Sequence, residues 1–445
     1  MKTGIIGAGI SGLTLAWELQ QRGAEYQLFE ASGQVGGYIQ SERTGPYLRE
    51  LGPNSLLGDQ ELLNWLDDLG LTDDIEFAKP VSKARYIFRD GAYRALPSGP
   101  PSLLFGSYFS WHTKWAIVAE LTNRTTSAPG ETLAQFFRRR FTNELVDYAL
   151  GPFVAGIYAG DPERLLVSET FPILLQYERE YGSVLRGFIK NQSGERRKSF
   201  SFRDGMQTLP RALATKLTNL SLNTPVTTIE RLSHGQWQVT TPAGKSVFDS
   251  LVLATATETA SRLLQTAYPN VAEAIRQIDY PPMTAVHSAY KRADVRHPLN
   301  GFGGLNPAKE GRFCAGHIWS SSIFGSESHP TRCPADEVLF TTFVGGKQGD
   351  RPGQPNNAQQ PDAVIFERVH AELAASFGID TTAPVWRKLM RWERAIPQYD
   401  ATLAASKPLI MGVEKEGLFV CANWYGGVSL SDCIQKGREL ANSLR

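Results

Sequence analysis

The sequence predicts an α/β fold that combines a parallel sheet and its helices with a mixed sheet and a helical region. Three observations carry this prediction. The chain begins with a strand, a helix and a strand within about 30 residues. The stretches 222–255 and 285–345 alternate like strands, and residues 131–148 have helical periodicity. The length of 445 residues fits about three domains, or one large discontinuous unit.

The composition excludes several classes of protein. Hydrophobic residues make up 42% and charged residues 20%, which is typical of an ordinary folded protein. The formal net charge of +1 lacks the cationic surplus of a general nucleic-acid binder, so we expect no nucleic-acid partner. The four cysteines have neither metal-ligand spacing nor a disulfide pattern, so we expect no metal site and a reducing compartment. The sequence contains no run of 18 apolar residues, so we expect no membrane-spanning helix.

The opening strand–helix–strand unit is predicted from residue spacing. Residues 3–6 form a short apolar run, which is typical of a buried strand. Apolar residues recur at helical spacing from 13 to 19, and Gly23 favours the left-handed conformation that ends a helix. Residues 26–30 (YQLFE), rich in aromatic and aliphatic residues, predict the second strand of the unit.

The glycines after the first strand fit a dinucleotide-binding turn. Gly7, Gly9 and Gly12 follow the pattern G-x-G-x-x-G. In this pattern the first glycine makes the turn, the second lets the backbone approach a pyrophosphate, and the third packs helix against strand. Glu30 ends the second strand, where an acid binds ribose hydroxyls and disfavours NADP. The alternative for Glu30 is a solvated acid at a strand end.

The remaining elements are predicted from strand or helix periodicity bounded by turn residues. In chain order they are a hairpin over 84–97 that turns at Asp90 and Gly91, a meander over 222–255, strands within 285–345, a helix over 363–377, a strand at 417–421 and a helix over 431–443.

A second glycine pair follows the first unit. Gly36 and Gly37 lie just after the acidic strand end, and this pair favours FAD over NAD. The alternative is a flexible turn. Many flavoproteins carry arginine after such a pair, whereas this chain has Tyr38, and we consider Arg43 as its substitute.

Further motifs occur in the order of one flavoenzyme family. They are 51–55 (LGPNS), 85–87 (RYI) with 90–91 (DG) and 96–98 (LPS), 152–162 (PFVAGIYAGDP), 204–210 (DGMQTLP), 341–346 (TTFVGG), 395–399 (AIPQY) and 423–430 (NWYGGVSL). On these motifs, spread along the whole chain, the sequence resembles the flavin-dependent amine oxidase superfamily and, within it, the FAD-dependent protoporphyrinogen oxidase family. Residues 400–402 (DAT) depart from the Gly-His that is common in this family.

The resemblance implies a discontinuous arrangement of domains. A Rossmann-like FAD-binding domain would comprise residues 1–75, 200–262 and 396–445. A mixed-sheet substrate-binding domain would comprise 76–97 and 263–395, and a helical domain, a candidate for facing the membrane, would comprise 98–199.

The resemblance also implies the chemistry. Family members oxidise protoporphyrinogen IX to protoporphyrin IX in haem biosynthesis, with FAD as hydride acceptor and molecular oxygen as the final acceptor. The flavin performs the redox step while the protein supplies shape and electrostatics. We therefore expect no catalytic acid, base or nucleophile from the protein, and the sequence contains no Ser/His/Asp or Cys/His set that contradicts this.

Family position assigns a pocket for a flat tetrapyrrole. Phe343 is expected to stack near the macrocycle, and Leu305 and Ile318 to cover its opposite face. Arg85 is expected to pair with a propionate, since guanidinium binds carboxylate bidentately. The small residues expected to line the pocket are Gly156, Ala159 and Gly160. The alternatives are hydrophobic core for the three apolar side chains and a surface cation for Arg85.

The same resemblance assigns the residues that contact FAD. Those of the first unit are Gly7, Ala8, Gly9, Ile10, Ser11, Gly12, Glu30 and Ala31. Those of the glycine pair and the segment beside the flavin ring are Gly36, Gly37, Tyr38, Gly52, Pro53, Asn54 and Ser55. Val226 is expected at the adenine and Trp392 against the cofactor. Gly427, Val428 and Ser429 are expected at the flavin pyrimidine edge, where a helix N-terminus stabilises negative charge.

A cytoplasmic location is expected, with peripheral docking on the inner face of the membrane as a further candidate. Phe105, Tyr108, Phe109 and Trp111 cluster in the helical stretch, and residues 138–140 (RRR) lie nearby. Such a mixture suits anionic lipid, and the alternative is a solvated basic helix face. A homodimer is a further candidate partner state.

Three other functions remain as alternatives. The first is oxidation of coproporphyrinogen III to coproporphyrin III by the same chemistry, which a pocket with more cations would favour because this substrate carries four propionates. The second is a flavin amine oxidase. The third is a cofactor-free binding protein on the same fold, which intact Gly7, Gly9, Gly12 and Glu30 disfavour.

Overall fold

The strands of the computed structural model belong to five sheets. The structure describes residues 1–191, 197–326, 330–350 and 352–444. The strands are β1 (Lys2–Ile6), β2 (Glu25–Phe29), β3 (Ser41–Thr44), β4 (Tyr47–Glu50), β5 (Leu56–Gly58), β6 (Ile75–Phe77), β7 (Tyr86–Arg89), β8 (Ala92–Ala95), β9 (Lys198–Phe202), β10 (Leu220–Ser221), β11 (Thr228–Arg231), β12 (Trp237–Thr241), β13 (Gly244–Phe248), β14 (Ser250–Leu253), β15 (Met283–Lys291), β16 (Gly303–Leu305), β17 (Cys314–Trp319), β18 (Glu337–Gly345), β19 (Trp386–Trp392) and β20 (Leu418–Val420).

The α-helices cover the parallel sheet, cover one face of the mixed sheet and form the helical region. They are α1 (Ile10–Gln21), α2 (Gln60–Asp68), α3 (Pro100–Phe105), α4 (Trp111–Glu120), α5 (Leu133–Arg140), α6 (Asn143–Leu145), α7 (Gly151–Tyr158), α8 (Val167–Thr170), α9 (Pro172–Tyr181), α10 (Val184–Lys190), α11 (Thr208–Lys216), α12 (Thr257–Leu264), α13 (Pro269–Arg276), α14 (Ser320–Ile323), α15 (Asp362–Phe377), α16 (Ala401–Glu414) and α17 (Leu430–Ser443).

The parallel sheet has the strand order β10-β2-β1-β14-β20. All four residues of β14 are buried, as expected for a central parallel strand covered on both faces. α1 and α17 follow β1 and β20 and pack against each other, so both helices begin at the carboxyl edge of this sheet. The predicted strand–helix–strand unit is therefore confirmed, and it lies at the centre of the sheet.

The mixed sheet has the order β19-β15-β18-β17-β16-β7-β8. Neighbouring strands are antiparallel except for β16 and β7, which are parallel. The hairpin predicted over 84–97 is confirmed as β7 and β8, with Arg89 opposite Ala92 across the turn. α15 covers one face of the sheet with Ile365, Val369 and Leu373, which leaves the other face toward the parallel-sheet region.

The distribution of strands bears on the predicted domain ranges without testing them. The strands of the parallel sheet lie within 1–75, 200–262 and 396–445, and those of the mixed sheet within 76–97 and 263–395. A three-stranded sheet, β5-β9-β6, spans the predicted boundaries at 75 and 200. The ranges stay a prediction.

Candidate functional site

The turn between β1 and α1 has the geometry that its glycines predict. The Gly7 N–H donates to the Phe29 carbonyl at 2.8 Å, so the turn stays bonded to the end of β2. Gly7 has a φ of 105°, which favours glycine. A Cβ at Gly12 would lie 2.1 Å from the Gly7 carbonyl oxygen. Only glycine therefore lets the helix begin this close to the strand.

Gly9 differs from these glycines because it faces open space. Its φ of −70° and ψ of 175° are accessible to any residue, and an added Cβ would have no protein atom within 4 Å. The open space lies at the N-terminus of α1, where unpaired N–H groups and the helix dipole attract anions. This cradle fits the pyrophosphate of FAD, and Gly9, Ile10 and Ser11 are the residues that would hold it.

Glu30 is tied to this turn by its carboxylate. Its Oε2 accepts the Ala8 N–H at 2.8 Å, and its Oε1 accepts the N–H and the hydroxyl of Ser32 at 2.9 Å each. An ionised carboxylate has about four acceptor sites, so one remains for a ribose hydroxyl. Ala31, between the two, is exposed. The expected ribose contact stays a prediction, whereas the alternative of a merely solvated acid does not describe these bonds.

Gly36 and Gly37 pack directly against the dinucleotide turn. The Gly36 N–H donates to the Ala8 carbonyl at 2.8 Å, and Gly36 and Gly9 form a parallel bridge. Gly36 and Gly37 have φ values of 107° and 55°, which few other residues tolerate. The structure therefore brings the two glycine motifs together, although α1 and β2 lie between them in the sequence.

A cation beside this pair comes from a residue that the sequence analysis did not identify. Arg43 pairs with Asp204 at 3.2 Å and donates to the Arg203 carbonyl at 3.4 Å, and its role as a substitute for the missing arginine stays a prediction. Arg394 lies next to Tyr38, whose hydroxyl donates to the Arg394 carbonyl at 3.4 Å. Burial raises the pKa of Tyr38, and the charge of Arg394 opposes this rise. No sequence signal marks Arg394, because it lies 356 residues after Tyr38.

Residues 52–55 connect the glycine turns to the mixed sheet. A Cβ at Gly52 would lie 1.8 Å from the Tyr38 carbonyl oxygen, so the segment runs directly against the second glycine turn. Pro53, Asn54 and Ser55 are partly exposed. Asn54 also lines a small cavity together with Ile318 of the mixed sheet. The expected cofactor segment and an expected substrate residue therefore meet at one place.

A buried carboxyl group anchors this segment. Glu50, at the end of β4, accepts the Ser41 hydroxyl at 2.5 Å and the Met206 N–H at 3.0 Å. Burial raises the pKa of Glu50 to about 7, although the hydroxyl of Ser41, the charge of Arg332 and the Met206 N–H oppose the rise. The Met206 bond joins Glu50, the residue just before the motif 51–55, to the backbone of the motif 204–210.

Replacing Glu50 with glutamine is expected to remove part of the pH dependence of stability. The folded-state pKa of about 7 exceeds the ordinary value of 4.5, so the folded protein retains this proton longer than the unfolded chain. The stability contributed by this proton is complete below pH 4.5 and is lost as the pH rises through 7. As the pH rises over this interval, the melting temperature of the wild type should fall relative to that of Glu50→Gln. Parallel melting temperatures of the two proteins from pH 5 to 8 would contradict the assignment.

The start of α17 forms the far side of the candidate cofactor site. Ser429 caps the helix: its Oγ accepts the Asp432 N–H at 3.1 Å, and its N–H donates to the Asp432 carboxylate at 3.2 Å. Gly427 and Val428 lead into this cap, and Gly427 has a φ of 131°. The N-terminus of α17 opens on the same sheet edge as that of α1, where ligands of open α/β sheets bind.

Val226 and Trp392 lie at the two flanks of this edge. Val226 is buried, and its carbonyl accepts a bond from Arg262 at 3.4 Å. It follows Thr224, whose N–H donates to the Glu30 carbonyl at 2.8 Å, so the backbone at 226 runs near the expected ribose position. Trp392 ends β19 opposite Met283 of β15. Their expected contacts with FAD stay predictions.

One face of the mixed sheet is partly exposed to solvent at three side chains. In β16, β17 and β18 every residue is buried except Leu305, Ile318 and Phe343, which are partly exposed. Leu305 and Phe343 both pair with Gly316, and Ile318 pairs with Thr341, two residues before Phe343. Side chains that are directly opposite or two residues apart share a face. The register therefore places all three expected substrate residues on one face.

The same register extends this face to β19. Phe343 is opposite Ala285, and Ala285 is opposite Met390. Trp392 is two residues beyond Met390, so its side chain shares the face with Phe343. An apolar, partly open surface thus runs across five neighbouring strands, from β16 to β19, toward the segment 52–55.

α7 covers one edge of the open face. A Cβ at Gly156 would lie 3.3 Å from the Leu305 side chain, and Gly156 is itself exposed. Ala159 ends α7 in the left-handed conformation, with a φ of 50°. Gly160 is buried, and a Cβ there would lie 2.6 Å from Gln398 Oε1. Gly156 therefore lies on the open side, whereas internal packing requires glycine at 160.

Arg85 is an exposed cation close to this face. Its guanidinium stacks on the Phe302 ring at 4.3 Å, and Phe302 and Ile318 line the same small cavity. Arg89 and Arg94 of the same hairpin pair with carboxylates. Arg85 forms no ion pair with any residue that the structure describes. Its charge is therefore available to a ligand.

The helical region corrects the expectation of a basic face. The side chain of Arg140 is 0% exposed and bonds Glu120 at 2.6 Å and Glu178 at 2.7 Å. Arg139 also pairs with Glu178, and Arg138 pairs with a carboxylate on the surface. The prediction of a basic face at 138–140 is wrong, because all three arginines pair with carboxylates and the side chain of Arg140 is buried.

The aromatic cluster of this region divides into two pairs. Phe105 and Trp111 are 86% and 69% exposed, whereas Tyr108 and Phe109 are buried against each other with ring centroids 4.7 Å apart. Across the described ranges, no helix combines the length and apolar character that a membrane crossing requires.

The departure at 400–402 has a local structural reason. Asp400 Oδ1 accepts the N–H groups of Thr402 and Leu403 at 2.9 and 3.3 Å. It is therefore the N-cap of α16, a role that aspartate performs and that does not require a cofactor.

Comparison with known proteins supports a common flavoenzyme fold. The sequence model of the flavin-containing amine oxidoreductases matches residues 10–444. Protoporphyrinogen oxidase 2 of Arabidopsis thaliana, chloroplastic or mitochondrial, is 29% identical over 484 residues, covering 99% of this chain and 93% of the relative. The mitochondrial protoporphyrinogen oxidase of Nicotiana tabacum is 29% identical over 485 residues, covering 99% and 94%. A crystal structure from Exiguobacterium sp. 255-15, provisionally named a protoporphyrinogen oxidase, matches with a TM-score of 0.79 at 21% identity, covering 100% and 98%.

Proposed function

Because the chain belongs to the family of flavin-containing amine oxidoreductases, we propose that it is an FAD-dependent oxidase of protoporphyrinogen IX in haem biosynthesis. The product is protoporphyrin IX, and molecular oxygen is the final electron acceptor. Three two-electron oxidations convert the substrate, and each reduces one oxygen molecule to hydrogen peroxide. Two relatives of this name that match 99% of the chain support the choice of substrate.

The open face of the mixed sheet is the observation that carries this proposal. Leu305, Ile318 and Phe343 are the members of β16, β17 and β18 that reach solvent, and they share one face. Burial of a flat apolar ring against such a surface contributes about 25 cal/mol for each Å² of apolar area removed from water. A small aliphatic amine would leave most of this surface exposed, whereas a tetrapyrrole covers it.

FAD bound at the glycine turns supplies the redox chemistry by accepting hydride from the substrate. The residues of the chain position the reactants. Gly9 and the start of α1 would hold the pyrophosphate, and residues 52–55 would lie beside the flavin, close to Ile318. The N-terminus of α17, capped by Ser429, would direct its dipole at the flavin and stabilise negative charge there. Gly156 lets α7 approach the macrocycle closely.

Anaerobic reduction of the purified flavoprotein tests this proposal. The oxidised flavin should lose its visible absorbance when protoporphyrinogen IX is added, and aerobic turnover should be faster with this substrate than with coproporphyrinogen III. Faster turnover of coproporphyrinogen III would reverse the choice of substrate. Reduction by amines alone would indicate an amine oxidase, and a colourless protein that releases no FAD on denaturation would overturn the enzyme assignment.

Replacing Arg85 with alanine is expected to weaken porphyrinogen binding without affecting FAD. The substitution removes an unpaired cation that would bond a propionate, so KM should rise by the equivalent of about 1–3 kcal/mol. Steady-state kinetics measure this effect, and titration of the apoprotein measures FAD affinity. Arg94→Ala is the matched control, because Arg94 is already paired with Asp90 at 3.2 Å. An unchanged KM in Arg85→Ala would contradict the assignment.

The domain division accompanies this function as part of the proposal. The FAD-binding domain comprises 1–75, 200–262 and 396–445, the substrate-binding domain 76–97 and 263–395, and the helical domain 98–199. The distribution of strands between the parallel and mixed sheets supports this division. The cofactor then lies between the first two domains.

The helical domain provides the candidate membrane contact of a peripheral protein. Trp111, Trp115 and Val118 are exposed at the spacing i, i+4, i+7 along α4, and Phe105 is exposed on the preceding helix. An apolar stripe of this kind inserts into the interface of a bilayer. Because 138–140 are neutralised within the fold, we propose that apolar contact rather than charge drives the docking.

Vesicle co-sedimentation distinguishes apolar from electrostatic docking. The double variant Trp111→Ser, Trp115→Ser should bind vesicles of neutral phosphatidylcholine at least about tenfold more weakly, because each lost side chain contributes about 1.5–3 kcal/mol when buried. Arg138→Ala is the control and should bind like the wild type. Binding that requires anionic lipid and disappears with salt would contradict apolar docking. Absence of binding by the wild type would remove the membrane contact.

A further inference from the structure

A buried tyrosine connects the loop before α17, on the cofactor side of the site, with the end of α7, on the substrate side. Tyr399 is 2% exposed and lies between β19 and α16. Its hydroxyl donates to the Asn423 carbonyl at 2.6 Å and accepts the Gly427 N–H at 2.9 Å. One phenol therefore closes both ends of the five-residue loop 423–427, which leads directly to the cap of α17.

The backbone of the loop supports only its first half, where the Tyr425 N–H donates to the Ala422 carbonyl at 3.0 Å, whereas the Gly427 N–H bonds the phenol. Gly426 and Gly427 have φ values of 115° and 131°, conformations that only glycine adopts readily. Glycine is also the residue that loses the most conformational freedom when it is ordered. Trp424 holds the middle of the loop by donating to the Thr255 carbonyl at 2.8 Å. The end that carries Gly427 is held by the Tyr399 hydroxyl.

The opposite side of Tyr399 faces the substrate helix. Its ring packs edge-to-face on Tyr158, with centroids 5.7 Å apart. The neighbouring Gln398 donates through Nε2 to the Tyr158 carbonyl at 2.8 Å. Tyr158 is the last residue of α7, so the two side chains together fix the end of the helix that covers the open sheet face.

The end of α7 is in turn bonded to the strand that carries Phe343. The Ala159 carbonyl accepts the Lys347 N–H at 2.8 Å, just beyond the end of β18. A Cβ at Gly346 would lie 2.9 Å from the same carbonyl oxygen. Contacts therefore run without interruption from the start of α17, through Tyr399 and α7, to the sheet face.

We propose that Tyr399 is a positioning residue that sets the start of α17 against the flavin and keeps it in register with the substrate face, while Gln398 sets the end of α7. Tyr399 touches neither reactant. Its hydroxyl fixes where the N-terminus of α17 lies, and with it the stabilisation of negative charge on the cofactor. The inference rests on the flavin of the family, and only its kinetic part rests on the proposed substrate.

Tyr399→Phe tests the role of the hydroxyl. The loop loses both bonds, so affinity for FAD should fall by about tenfold, the scale of one or two hydrogen bonds. The midpoint potential of the bound flavin should become more negative, because the helix dipole no longer stabilises the reduced form as well. In steady-state turnover, Tyr399→Phe should have a lower kcat and an unchanged KM for the porphyrinogen. Gln398→Ala should instead raise KM and leave FAD affinity and potential unchanged.

Tyr108→Phe is the matched control. Tyr108 is also buried, and its hydroxyl donates to the Tyr148 carbonyl at 2.7 Å in the helical region. This variant should lose thermal stability like Tyr399→Phe while FAD affinity and flavin potential stay at wild-type values. The proposal is overturned if Tyr399→Phe and the control behave alike, with lower stability and unchanged affinity and potential.

Hydrogen exchange of the wild-type holoenzyme provides a test that does not depend on a variant that folds. The Gly427 amide should be protected, because the buried phenol accepts it. Exchange of the segment 423–429 at the rate of an unprotected peptide would overturn the proposal. If neither porphyrinogen were oxidised, FAD affinity and flavin potential would still decide the role of Tyr399, so failure of the proposed function is distinguishable from failure of this inference.

Discussion

Replacing Gly9 with alanine is expected to weaken FAD binding by about 100-fold, or about 2.8 kcal/mol at 1.4 kcal/mol per tenfold, while the apoprotein folds normally. An alanine Cβ at this position meets no protein atom within 4 Å, and the backbone angles of Gly9 suit any residue. The added methyl group fills the cradle at the N-terminus of α1. Its cost therefore falls on the ligand and not on the fold.

Fluorescence titration of the apoprotein with FAD measures this effect, and thermal unfolding of the apoprotein measures the fold. Gly412→Ala is the matched control, since Gly412 also faces open space but lies within α16. It should retain both FAD affinity and stability. Gly12→Ala should destabilise the apoprotein itself, because its Cβ would lie 2.1 Å from the Gly7 carbonyl oxygen. Wild-type affinity in Gly9→Ala would show that the pyrophosphate does not bind at this cradle.

Replacing Arg140 with methionine is expected to destabilise the protein by about 3–5 kcal/mol, the cost of breaking a buried ion pair. The side chains of Arg140 and Glu120 are 0% exposed and that of Glu178 is 3% exposed. The substitution leaves Glu120 in the interior without its cation and leaves Glu178 with Arg139 alone. Urea unfolding followed by far-UV circular dichroism measures the loss.

Two further variants separate charge from packing in this network. Arg138→Ala should cost no more than about 1 kcal/mol, because its pair with Glu163 is exposed on the surface. Adding Glu120→Gln and Glu178→Gln to Arg140→Met should restore part of the lost stability, since it removes the uncompensated charges. An Arg140→Met variant as stable as Arg138→Ala would show that the three arginines are solvated after all.

The features that could be predicted from the sequence are those whose cause is local. Gly7 and Gly12 permit a turn that other residues cannot form, Gly9 leaves space beside it, and the spacing of the three places them between a strand and a helix. The hairpin at 90–91 and the final helix likewise depend on neighbouring residues. The order of the motifs along the chain was sufficient to identify the family, although no motif indicates which residues it contacts.

The partners of buried charges could not be predicted from sequence. The run at 138–140 has the composition of a basic face, but Glu120 and Glu178 reach it from helices about 20 and 38 residues away. Asp400 departs from the family pattern at a cofactor motif, yet it caps a helix. In the first case distant partners decide what the residues do, whereas in the second the neighbouring N–H groups of Thr402 and Leu403 do.

Sequence patterns were sufficient to predict the family, the dinucleotide turn and the residues expected to hold FAD and substrate, because short-range backbone geometry limits which residues such turns accept. Only the tertiary structure decided that Leu305, Ile318 and Phe343 share one open face, because strand register depends on pairing across the sheet. It also decided that Gly9 faces open space while Gly12 does not, and that Tyr399 joins the cofactor loop to the substrate helix. These relations connect residues far apart in the chain, and burial and hydrogen bonding establish them only when the chain is folded.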